Sequence, residues 1–183
     1  MREFVLLSRT SSNKIDLNNL NTGMWDSVAR CVNSALWRAH SLRRAKIHVV
    51  LGAADQPRIV TVDNSIKRIG PDEKSIATCI SKVMKKEAEN PGIAYVPGSF
   101  QYVIKTLSKR KFYILQERGR DISKVEFELD PVIVLGDHIG LPAKDEAFVR
   151  RFDHEFVCVG PKSYLASQCI SFINIELDRR GVD

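Results

Sequence analysis

The stretch Pro131-Val132-Ile133-Val134-Leu135-Gly136-Asp137-His138-Ile139-Gly140-Leu141-Pro142 decides the fold of this chain. An apolar run with no polar alternation reads as a strand covered on both faces, as in a parallel α/β sheet. Gly136 then allows the backbone to approach a neighbouring group closely. The same pattern returns downstream, where Glu155-Phe156-Val157-Cys158-Val159 is followed by Gly160-Pro161-Lys162-Ser163-Tyr164-Leu165-Ala166. Ligands of open α/β sheets sit outside the carboxyl ends of the strands. Both loops are therefore expected to face a single site.

Working outward, Met1-Arg2-Glu3-Phe4-Val5-Leu6-Leu7-Ser8 reads as a first strand. A helix is expected over 24–39, with Val28, Cys31, Val32, Ala35 and Leu36 on its buried stripe. A strand over 47–51 follows, then a hairpin pairing 58–62 with 66–69 around Asp63-Asn64-Ser65. Gly70-Pro71-Asp72-Glu73-Lys74-Ser75 marks the start of a helix that runs to about Glu89 and is closed by Asn90-Pro91-Gly92. A short helix over 100–107 precedes a strand over 112–115, and 117–130 is expected to be loop with a short element of its own. A short helix over 145–151 separates the two ligand-loop strands. The last helix is expected from Ser163, as N-cap, to Arg180. This alternation predicts an α/β fold with a mostly parallel sheet flanked by helices. With no repeat and no linker, it reads as one domain over 1–183, the ligand loops lying in roughly 130–183.

Length and composition bound the function classes. The chain has 183 residues, 44% hydrophobic and 27% charged, which suits an ordinary globular domain with a substantial core. Its longest apolar runs fall short of the ~20 residues that span a bilayer, and its opening lacks the pattern of a signal peptide, so a cytoplasmic protein is expected. Cys31, Cys79, Cys158 and Cys169 occur singly in apolar patterns and read as reduced, mostly buried thiols. No Cys-x-x-Cys pair is present and the four histidines sit at no ligand spacing, so no metal is expected. The net charge of +6 is compatible with a polyanionic partner. Arg38, Arg43, Arg44 and Lys46 cluster near one helix end, and Lys105, Lys109, Arg110 and Lys111 near another. Each cluster reads equally as a complement to a helix dipole; the two together favour nucleic acid.

Phosphate-loop, dinucleotide and nucleophile-elbow motifs are absent. What remains is a site of backbone and small residues. Gly136 and Gly160 leave amides and carbonyls for an adenine edge, between apolar walls from Leu135, Leu141 and Leu165. The plainer reading is that both glycines only make tight turns.

Leu135-Gly136-Asp137-His138-Ile139-Gly140-Leu141-Pro142 and the segment from Gly160 to Ile170 resemble the S-adenosylmethionine loops of the SPOUT methyltransferases. Met1-Arg2-Glu3-Phe4, Arg30-Cys31-Val32-Asn33-Ser34-Ala35-Leu36 and Gly70-Pro71-Asp72-Glu73-Lys74-Ser75 further resemble the archaeal tRNA pseudouridine-54 N1-methyltransferases and their bacterial relatives. The resemblance covers essentially the whole chain. It implies a C-terminal deep trefoil knot, a homodimer, a tRNA substrate and S-adenosylmethionine as cofactor. The cofactor positions it implies are Leu135, Gly136, Gly160, Lys162, Ser163, Tyr164, Leu165, Ala166 and Cys169, with Cys169 as a pocket wall.

Methyl transfer from a sulfonium needs alignment and a deprotonated nucleophile, with no metal. N1 of pseudouridine carries a proton, so a nearby carboxylate or oxyanion stabiliser should assist. Asp137 and Asp72 are the candidates; Asp137 could instead bond its own turn, and Asp72 favour its helix N-terminus. A nucleotide in folded RNA must be flipped outward to be reached. Arg43, Arg44, Lys74, Lys105, Lys109 and Arg110 are the candidate phosphate contacts. Three alternatives stay open: the same chemistry on another RNA, an RNA-binding module without turnover, and a metabolite-binding regulator.

Overall fold

Alternate residues of the first strand serve two different cores. In the computed structural model, which describes residues 1–182, Phe4 and Leu6 of β1 (Arg2–Ser8) pack into one apolar cluster, and Val5 and Leu7 into another. This period of two, with every residue of β1 buried, places the strand in the middle of a sheet covered on both faces.

The other strands are β2 (Ala45–Leu51), β3 (Arg58–Asp63), β4 (Ile93–Pro97), β5 (Phe112–Asp121), β6 (Val132–Gly136) and β7 (His154–Cys158). Their order is β4-β3-β2-β1-β6-β5-β7. β2, β1, β6, β5 and β7 are mutually parallel, while β3 pairs antiparallel with both β2 and β4. Helices α1 (Trp25–Leu36), α2 (Glu73–Met84) and α5 (Ala166–Arg179) cover one face; α3 (Phe100–Thr106) and α4 (Ala143–Val149) cover the other. The α/β class with a mostly parallel sheet is as expected.

Several boundaries differ for local reasons. Residues 66–69 form no strand: β3 pairs with β4 across residues 58–62, and Arg68 adopts a left-handed backbone at φ 58°. β4 was not foreseen, because a five-residue edge strand ending in proline carries little periodic signal. The first helix stops at Leu36, where Trp37 turns extended and pairs with Leu42. α2 ends at Met84, short of Glu89, with Lys86 at φ 60°. β5 runs on to Asp121, with a break in register between Leu115 and Arg120, both of which pair with Val157. α5 begins at Ala166; the cap position is Leu165, whose amide donates to Gln168 Oε1 at 3.1 Å, so Ser163 is not the N-cap.

The amino end of β1 is fixed by two buried polar groups. Arg2 donates to Asn174 Oδ1 at 2.9 Å, to Asp178 Oδ1 at 2.8 Å and to the Val182 carbonyl at 2.6 Å. Glu3 accepts from Arg110 Nη1 at 2.5 Å and meets His48 Nε2 at 2.7 Å. The carboxylate only accepts, so His48 Nε2 carries the proton. Burial by itself would raise the Glu3 carboxyl, but the hydrogen bonds from His48 and Arg110 outweigh it and hold the group down to about 2.

A depressed carboxyl stabilises the fold above its ordinary value, and the contribution is lost as pH falls toward the folded-state value. Glu3 should therefore contribute fully above pH 4.5 and lose its effect between pH 4.5 and about 2. Glu3→Gln should flatten the acid arm of stability in that window and cost on the order of 3 kcal/mol at pH 7, by leaving Arg110 without its carboxylate. Urea unfolding across pH checks this; an acid arm identical to wild type would contradict it.

Candidate active site

β1 sits where the strand order turns: chain continuity runs outward through β2 on one side, while β6 flanks it on the other. In open α/β sheets the crevice at such a switch point is where ligands bind. At the carboxyl ends of β6, β5 and β7 the chain encloses a cleft of about 460 Å³, within the usual range of roughly 300–1,000 Å³ for small-molecule sites.

One wall is the loop after β6. The Asp137 amide extends the β1–β6 ladder by donating to the Leu7 carbonyl at 3.1 Å, and the Gly140 amide closes a turn onto the Asp137 carbonyl at 2.8 Å. Gly140 takes φ 79°, which glycine adopts without cost. Gly136 is required by proximity: a Cβ there would lie 2.3 Å from the Gly140 carbonyl carbon and 2.6 Å from the Leu141 nitrogen. Asp137 staples the arrangement, with Oδ1 accepting from the Ile139 amide at 3.0 Å and Oδ2 from the Arg9 amide at 2.7 Å. Asp137 lines the cleft, but both its carboxylate oxygens are engaged in holding backbone.

The opposite wall runs from the end of β7 into α5. Gly160 leaves room for Tyr164, whose hydroxyl would lie 3.0 Å from a Cβ at that position. The Tyr164 ring packs edge-on against Phe172 at 5.8 Å between centroids. Cys169 and Ala166 complete this side, with Leu135 below. Burial pushes the Cys169 thiol up to about 11 and the Cys31 thiol up to about 12, so both are protonated near neutrality. A wall role for Cys169 fits; a nucleophilic one does not.

Of the expected cofactor positions, Leu135, Gly136, Gly160, Lys162, Ser163, Tyr164, Ala166 and Cys169 line this cleft together. Leu165 does not: it is 58% exposed and caps α5 from outside. The bulge of β5 was missed. Leu115, Gln116, Glu117 and Arg118 form the third wall, with Ser163 donating its hydroxyl to Glu117 and Gln116 its amide to Glu146. A polar run after a strand reads as an exposed loop, and nothing in it marks a return to the site.

Asp72 stands elsewhere, on a neighbouring cavity it shares with Arg30, Asn33, Lys74 and Ser167. It is the N-cap of α2, accepting from the Ser75 amide at 2.8 Å, and the bonds from Ser75 hold its carboxyl below the usual range. Among the basic candidates only Lys74 lies on this side. Arg43 donates to Asp178 and to the Trp37 carbonyl, and Arg110 to Glu3 and the carbonyls of Met1 and Asp130. Those two guanidiniums serve the fold, contrary to their expected role on phosphate. Arg44, Lys105 and Lys109 are exposed but precede β2 and β5, at the amino edge of the sheet, opposite the cleft.

Gly136→Ala should destabilise the protein by about 1–3 kcal/mol through overpacking of the loop against Gly140. Denaturant unfolding measures it, and a neutral substitution would contradict the close approach.

Comparison with known proteins follows the same lines. Residues 1–182 match the family of SAM-dependent RNA methyltransferases. The tRNA (pseudouridine(54)-N(1))-methyltransferase of Pyrococcus abyssi (strain GE5 / Orsay) is 36% identical over 204 residues, covering 100% of both chains. The protein of the same name from Methanococcus vannielii is 34% identical over 196 residues, covering 98% of this chain and 99% of that one. Among solved structures, Archaeoglobus fulgidus Nep1 bound to S-adenosylhomocysteine shares the fold at a TM-score of 0.72, with 14% identity over 100% of this chain and 99% of that chain. The SpoU methyltransferase AviRb from Streptomyces viridochromogenes, in complex with AdoMet, does so at 0.54, with 18% identity over 98% and 58%. The chain thus belongs to the family of SAM-dependent RNA methyltransferases, alongside the tRNA (pseudouridine(54)-N(1))-methyltransferases.

Proposed function

We propose that the chain methylates N1 of pseudouridine in tRNA, at position 54 as the names of its relatives state, with S-adenosylmethionine held in the cleft between the β6 loop, the β5 bulge and α5. The observation that carries this reading is the cleft itself: a site of backbone and apolar walls at the carboxyl ends of three parallel strands, in a chain that matches tRNA pseudouridine methyltransferases over its full length.

The residues present fit such a cofactor. Leu115, Leu135 and Leu141 offer apolar walls to an adenine, and the glycine-bearing loops bring backbone close to it. Glu117 and Glu146 place carboxylate charge in a cleft that would receive a cation, and Lys162 offers a partner for the carboxylate of its methionine part. When bound, the cofactor supplies an electrophilic methyl group on a sulfonium. The chain's task is then positioning and exclusion of water. Asp137 acts by holding the β6 loop to β1 and so aligns the wall beside the reacting centre. Asp72 sets the start of α2 and presents Lys74 toward the RNA.

The reading extends to the whole assembly. One domain over 1–183 carries the site, with its cofactor loops in roughly 130–183. A C-terminal trefoil knot goes with the resemblance of the loops after Leu135 and from Gly160 to those of the SPOUT methyltransferases. A homodimer is supported by the outward apolar residues Leu165, Phe172 and Ile175 on and beside α5. No metal is needed: N1 gives up its proton to solvent as it takes the methyl group, and the chain's own part is alignment. A cytoplasmic setting goes with the tRNA substrate.

The chemistry makes a sharp prediction. In uridine N1 is the glycosidic nitrogen and has no hydrogen to replace, whereas pseudouridine, joined through carbon, offers a free N1–H. Two tRNA transcripts identical except for pseudouridine or uridine at position 54 should differ completely: stoichiometric methyl transfer to the first and none to the second, read by mass spectrometry of the digested nucleosides. Transfer to the uridine transcript, or to neither, would overturn the proposal.

A further inference from the structure

Three cavities follow one another on the face covered by α1, α2 and α5. The cofactor cleft ends at Ala166 and Cys169. The adjoining residue Ser167 lines the next cavity, which Lys74 also lines. Lys74 then lines a third, a groove of about 360 Å³ between residues 68–70 and α2, together with Arg68, Ser75, Thr78 and Lys82. Lys74, Thr78 and Lys82 follow at intervals of four, so they share one face of the helix. The two lysines stand about 12 Å apart along its axis.

The charges of this groove are unspent. Arg68, Lys74 and Lys82 are exposed, and none forms an ion pair among the described residues. Arg30, in the cavity between, is by contrast committed to Asp26 and Glu73. Asp72 is the one acid on the groove, and its carboxylate is turned onto the Ser75 amide.

The groove is also built rather than incidental. The Asn90 side chain clamps the far wall, accepting from the Lys67 amide at 3.3 Å and donating to the Lys67 carbonyl at 2.9 Å. Next to that clamp, Arg68 is held at φ 58°, an uncommon conformation for a residue with a side chain. Such conformations persist where the surroundings fix them and cluster at ligand sites. On the other wall, Asn33 of α1 donates to the Pro71 carbonyl and pins the entry to α2.

We propose that this groove binds phosphodiester groups of the RNA strand that leads into the cleft, with Arg68 and Lys82 as the charged contacts, Ser75 and Thr78 as hydroxyl donors, and Lys74 as the link to the cofactor site. It rests on the reading of the chain as an RNA methyltransferase and assigns the path its substrate takes. Fixed cations along a track contribute sequence-independent, salt-dependent affinity, and they position the strand without reading its bases.

The test compares wild type, the pair Arg68→Gln/Lys82→Gln, and the pair Lys105→Gln/Lys109→Gln, which removes the same charge on and after α3, on the opposite face of the sheet. Binding to a pseudouridine-containing tRNA is measured from 50 to 300 mM salt, with calorimetric S-adenosylmethionine affinity and thermal unfolding in parallel. The groove pair should lower the slope of log affinity against log salt by roughly 1.5 and weaken binding on the order of tenfold at moderate salt, with cofactor affinity and folding unchanged. The opposite-face pair should leave the slope as in wild type. Equal slopes for wild type and groove pair, or equal losses from both pairs, would overturn the groove as the RNA path while methyl transfer by wild type still upheld the enzyme. Absence of RNA binding by wild type would overturn the groove, and absence of methyl transfer would separately overturn the function.

Discussion

Arg2, wholly buried at the start of the central strand, donates to Asn174, Asp178 and the Val182 carbonyl, and so holds the last helix against the first strand. A buried charge is tolerated only with its partners in place, so α5 cannot shift without exposing that cost. Asn174 extends the link, donating to the carbonyls of Ser34 and Ala35 at the end of α1. The carboxyl-terminal half of α5 is thereby locked at the amino edge of the sheet. The helix is 14 residues long, from Ala166 to Arg179, so its first turn is delivered to the opposite edge, where Ala166 and Cys169 wall the cleft.

From that constraint the site follows with little specialised chemistry. The side chains that matter most to its shape are those that are absent or turned inward: Gly136 against Gly140, Gly160 against Tyr164, and Asp137 spent on backbone amides. Of the two thiols that burial keeps protonated, Cys169 walls the cleft and Cys31 lies in the core on α1. A donor as reactive as a sulfonium needs alignment more than activation, and on the proposed reading a cleft at the ends of β6, β5 and β7 supplies it.

Much of this was legible in the sequence. The apolar run at 132–135 gave the buried strand β6, and the glycines after it and after 159 gave both loops of the cleft; the run at 155–159 read as equally buried, but β7 is an edge strand in which only Val157 is buried. Other features left none. The β5 bulge is polar and returns to the site only because Val157 pairs on both sides of it. Arg43 and Arg110 look from the sequence like surface cations, yet their partners Asp178, Glu3 and Asp130 lie far away along the chain. Residues 66–69 carry strand-like composition, but the backbone of Arg68 turns out of the strand region there. Pairing over such separations is a property of the topology, and single-sequence patterns do not encode it.

Calorimetric titration with S-adenosylmethionine tests the central claim most directly, using wild type and Gly160→Trp. A side chain at position 160 must displace the Tyr164 ring and fill the space between it and the β6 loop. The account predicts one cofactor bound per chain in wild type and no measurable binding in a variant that remains folded. Equal binding by both proteins would place the cofactor outside this cleft. No binding by well-folded wild type, with or without tRNA present, would contradict the methyltransferase account as a whole.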